Sequence, residues 1–226
     1  MHRSNGSVKA LTVAILAFWF LLALSFSLLG VFDSKYRPPI SLGAAAILPV
    51  IAFAIGYLKL TEFRQFVLAS NLGILTLAQT WRVGGVVFLI LHRQGVLPGV
   101  FALPAGWGDI AIGATAPLIA WLISSKENFP KQIFVLWNAL GMLDLLMAVT
   151  LGILASASPL GILAGEVTTQ AMGTFPLSLI PTFFVPLLMI LHLMALGRIR
   201  YETVRIGTSQ TPRPQGVINR CLWSKV

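Results

Sequence analysis

Six stretches of this chain, 10–32, 40–58, 66–91, 107–123, 133–154 and 175–196, are close to continuously apolar. Each is near the roughly 20 residues that an α-helix needs to cross about 30 Å of hydrocarbon. Lipid offers the backbone no hydrogen-bond partners, so runs of this kind commit the chain to helices. A transmembrane barrel would read instead as short segments of alternating polarity. Composition agrees, because only 10% of the 226 residues are charged, against roughly 25% in soluble domains. The reading is an all-α membrane protein: a bundle of six transmembrane helices over residues 1–197. Residues 198–226 form a basic tail without periodicity, expected to be largely disordered.

Basic residues set the expected orientation. With both termini cytoplasmic, the inner segments hold Arg3, Lys9, Lys59, Arg64, Lys126, Lys131 and six bases of the tail, whereas the outer loops hold Lys35, Arg37 and Arg93. Twelve against three is the positive-inside bias of a multi-pass protein in the plasma (inner) membrane. The formal net charge of +9 therefore reads as attraction to anionic lipid rather than nucleic acid, since stacking aromatics are missing from most of the tail. The bilayer is the expected partner, joined by a second copy of the chain or by another membrane subunit.

Several chemistries find no support. The single cysteine, Cys221, excludes an internal disulfide and a cysteine-ligated metal site. A transmembrane haem needs two axial histidines, and His92 and His192 fall at opposite ends of the bundle, with His2 near the N-terminus. His192 is expected one turn from the inner end of helix six, reaching the interface. No cofactor, no metal and no catalytic residue is assigned. Zinc-protease and nucleophile-elbow motifs are absent.

What stands out is charge inside the apolar runs. Arg82 lies about ten residues inside helix three, with Gln79 one turn before it. An arginine at that depth costs roughly 3 kcal/mol or more without a partner or a wet cavity. Asp144, near the middle of helix five, is the partner at similar depth. Asp109, at the expected outer start of helix four, is the shallower alternative or a helix-entry residue favoured by the dipole. Asn138 and Gly141 precede Asp144 at three-residue spacings and make a small, polar stripe. Residues 94–106, with two prolines and three glycines, are expected to break the helix, as a re-entrant loop or an outer surface loop. Helix six carries Pro176, Pro181 and Pro186 and should be kinked.

The polar-site candidates are thus Gln79, Arg82, Asp109, Asn138 and Asp144, placed by helices three, four and five. Arg82 would hold an anionic group or set the charge of Asp144. Binding or translocation of a small solute or proton is the leading function. A structural or accessory subunit, in which the ion pair only fixes helix register, is the alternative, and an intramembrane enzyme using Asp144 as acid or base is a third.

Overall fold

The computed structural model describes residues 2–33, 38–125 and 130–209. Lys35, Arg37 and Lys126 of the charge count, and tail residues 210–226, lie outside them. Among the described residues there is no strand, and six helices are long and apolar enough to span a membrane. The helices are α1 (His2–Leu28), α2 (Ile40–Lys59), α3 (Thr61–Leu68), α4 (Leu72–Leu77), α5 (Val86–Arg93), α6 (Gly99–Ser125), α7 (Lys131–Leu154) and α8 (Val185–Ser209). A 3₁₀ segment, Ala78–Gly85, joins α4 to α5, and a π-helical turn, Ile180–Phe184, leads into α8.

The third apolar run is not one helix over 66–91. It breaks after α3, and Asn71 restarts it by accepting a hydrogen bond from the Ile74 N–H at 3.1 Å. The last run is helical to Ser209 rather than ending at Leu196, and its part long and apolar enough to span a membrane is Ile180–Tyr201.

The expectation that 94–106 interrupts the helix is corrected. Only a turn remains at Gln94–Pro98, where Gly95 at φ 72° lets the Val96 N–H reach back to the Leu91 carbonyl at 2.9 Å. From Gly99 onward the chain is helical. Pro98 stands just before the helix, where its carbonyl accepts from the Phe101 and Ala102 N–H groups. Pro104 removes one further donor close to the helix start. The glycines permit close packing rather than breaking the helix, Gly99 lying against His92 and Gly106 against Leu89.

The core is layered along the bundle. One apolar cluster, with Leu75, Ile112, Ala116, Phe134, Trp137 and Ala195, fills the end at which α8 continues to Ser209. A second, with Phe88, Leu97, Phe101, Ala105, Ala155 and Met172, fills the end that carries the 155–174 connection. Buried polar residues Gln79, Arg82, Asn138, Asp144 and His192 occupy the level between them. The outer helices are less enclosed. α1 leans on the π-helical turn, with the Trp19 and Phe20 rings 4.8 and 5.1 Å from that of Phe183.

Candidate functional site

The 3₁₀ segment explains how Arg82 reaches the centre. At three residues per turn, positions three apart eclipse, whereas in an α-helix they drift by roughly 60° per step. Gln79, Arg82 and Gly85 therefore share one face, and all three are buried. Trp81, beside them, points away and is 80% exposed. Low helix propensity at Thr80, Gly84 and Gly85 makes the departure from α geometry cheap. A 3₁₀ run of eight residues is long, and such stretches inside a helix are often tied to function.

Glycine then brings the elements into contact. A Cβ on Gly113 of α6 would stand 2.5 Å from the Val83 backbone nitrogen, and one on Gly85 would overlap the Asp109 side chain. The helical backbones touch, and the Arg82 side chain enters between α6 and α7.

Its guanidinium makes four hydrogen bonds there. Nε donates to Asp109 Oδ1 at 2.7 Å, Nη2 to Asp144 Oδ2, and Nη1 to the Gly141 carbonyl at 3.0 Å and to His192 Nε2 at 3.3 Å. Arginine can only donate, so His192 Nε2 presents its lone pair and the imidazole is neutral. The proton on His192 Nδ1 then points at Asn138 Oδ1, 2.9 Å away, and Asn138 Nδ2 donates to the Phe134 carbonyl at 2.8 Å. Five side chains from four segments thus form one chain: Asp109, Asp144, Arg82, His192 and Asn138.

The two acids expected as alternative partners are both engaged. Asp109 is not a helix-entry residue, because α6 begins ten residues earlier, about 15 Å along the axis. Gln79 is buried but stands outside the chain, donating to the Leu188 carbonyl at 3.1 Å. The Arg82 side chain is fully buried and engaged by both carboxylates, which leaves no open face for an added anion. His192 is a member that sequence reading placed elsewhere. Its true position is near the middle of Ile180–Tyr201, and the missing signal was the length of the last helix.

Three buried oxygens, Asp144 Oδ1, Gln79 Oε1 and Thr80 Oγ1, take no hydrogen bond from the described residues. Asp109 is the shallower acid, with its side chain 17% exposed. It lines a cavity of about 90 Å³ that runs toward the end carrying the 155–174 connection. The walls are apolar, with Phe88, Phe101, Leu145, Val149 and Met172 among them, and Ser156, Ser158, Thr169 and Gln170 contribute from that connection. The connection is folded back on α7: Thr169 Oγ1 donates to the Gly152 carbonyl at 2.6 Å, and Gln170 Nε2 donates to Asp33 beyond α1.

A family model described as a domain of unknown function, DUF8737, matches residues 39–200. The chain belongs to the DUF8737 family. The matched stretch runs from the start of α2 into α8, so every residue of the buried polar chain lies within the DUF8737 domain, and α1 lies before it. No curated protein and no solved structure matches the chain.

Proposed function

We propose that this DUF8737 protein is a plasma-membrane protein with both ends cytoplasmic, and that it binds a small solute in the cavity above Asp109 as a step in moving it. The observation that carries this reading is the junction of that cavity with a charged, buried network at mid-bundle. A purely structural ion pair needs no solvent-sized space beside it, and this space holds several water-sized groups, at roughly 10–15 Å³ each. Intramembrane charges beside a cavity are the usual mark of a ligand path. The apolar cluster around Phe134 and Trp137 closes the opposite end, which suits a state open to one side only.

The orientation has a direct check. In a Cys221→Ser background, Val149→Cys in the cavity wall is expected to react with a membrane-impermeant maleimide added outside intact cells. Ser125→Cys, at the exposed end of α6 on the other side, is expected to stay unlabelled. Labelling of Ser125→Cys alone would reverse the orientation.

The function is tested by stripping the charge as a set. Arg82→Met, Asp109→Leu and Asp144→Leu together remove the network without leaving an uncompensated ion. Expected are a folded, monodisperse protein in detergent and failure to complement a strain lacking the gene. A charge-free protein that complements fully would make the ion pairs a matter of helix register and remove the binding reading.

A further inference from the structure

Resting on that binding reading, we propose that the ligand is an organic monocation, a protonated amine on a compact apolar body, held by Asp109. The charge count leads there. Arg82 brings one positive charge, Asp109 and Asp144 two negative ones, and His192 is neutral because its Nε2 lone pair faces the guanidinium. With both carboxylates ionised, the network carries one uncompensated negative charge between two apolar clusters. A residual charge in such surroundings is met either by a proton on one carboxylate or by a counter-charge at contact distance, and an entering ammonium takes the proton's place.

Among the described residues, Asp109 is the acid that lines the cavity. Asp109 Oδ1 is taken by Arg82, and Asp109 Oδ2 takes no hydrogen bond from the described residues, while the side chain lines the cavity. Asp144 Oδ1 is also without a partner but is packed against the Gly108 backbone. An ammonium entering the cavity therefore meets Asp109 and, behind it, an acid that adds to the field. The walls select the rest of the ligand. Phe88 and Phe101 pack edge to face with centroids 5.4 Å apart, and aromatic rings beside an ammonium attract it. Leu145, Val149 and Met172 receive an apolar body. A hard metal ion fits poorly, because it wants six or more oxygens. The further cavity oxygens come from the 155–174 connection, and the described residues hold no cluster of three metal-ligating side chains.

The test is calorimetric titration of the full chain in nanodiscs with phenethylammonium, its neutral analogue 2-phenylethanol, and phenylacetate. Phenethylammonium is expected to bind at least ten times tighter than the alcohol, and phenylacetate not at all. Asp109→Asn, which keeps an oxygen for Arg82 Nε, should bring the amine down to the level of the alcohol and leave the alcohol unchanged. Equal binding of amine and alcohol to the wild type overturns the cation assignment while the small-solute reading stands. Preferential binding of phenylacetate overturns it too. If none of the three binds up to its solubility limit, the amine assignment falls, and the small-solute reading is decided by the complementation test. The wild-type comparison of amine and alcohol decides the matter even if Asp109→Asn does not fold.

Discussion

Arg82→Met is expected to cost more stability than any other single substitution in the chain, about 3–5 kcal/mol, the range for breaking a buried ion pair from one side. The loss is not one contact. Removing the guanidinium leaves Asp109 and Asp144 together at mid-bundle with two charges and no counter-ion. It also frees the lone pair of His192 Nε2, and an unsatisfied buried acceptor adds to the cost. Adding Asp109→Leu and Asp144→Leu should recover most of that stability, because apolar groups of similar volume replace buried ion pairs at little or no cost. The residual deficit belongs to His192. Thermal unfolding in one detergent, with wild type, single and triple variants side by side, reads the result. A triple variant less stable than Arg82→Met would mean that the polar layer, rather than its charge balance, holds the bundle.

How much of this was legible before the fold was known depends on the kind of signal. Six apolar runs correspond to six helices long and apolar enough to span a membrane, because lipid would leave the backbone no other way to satisfy its hydrogen bonds. Arg82, Asp144 and Asp109 could be picked out because a charge in an apolar run is costly and needs an answer. Their joint engagement could not. It depends on a 3₁₀ segment that turns Gln79, Arg82 and Gly85 to one side, and the only trace of it in the sequence is a three-residue spacing beside two glycines. The Pro-Gly-rich stretch before Gly106 misleads for a related reason. Its prolines sit before or near the helix start, where few donors are missed; Gly95 shapes the turn, and Gly99 and Gly106 serve contact with α5. His192 was obscured by a boundary: an end at Leu196 makes it peripheral, and a helix continuing to Ser209 makes it central. Cavities arise from packing among segments far apart in sequence, so the space above Asp109 had no sequence signal at all.

Gly108→Ala is expected to act on the site without touching a polar atom. A Cβ there would overlap Asp144 Oδ1 and stand 2.5 Å from Asp144 Cγ. A carboxylate at the tip of a free side chain could swing aside, but this one is pinned through Oδ2 to Arg82. Either α6 moves away from α7 or the ion pair opens. We expect a loss on the order of 1–3 kcal/mol, the range for overpacking a well-fitted core, and weaker retention of any cavity ligand. The second-site change that separates packing from charge is Asp144→Ala. It makes room for the added methyl group and leaves Arg82 paired one to one with Asp109, a neutral network. The double variant should therefore be more stable than Gly108→Ala alone. In a double-mutant cycle the two changes should couple favourably by at least about 0.5 kcal/mol, as expected for residues in direct contact. Additive losses would place the strain of Gly108→Ala elsewhere on α6, and would leave Asp144 free to move independently of the helix that faces it.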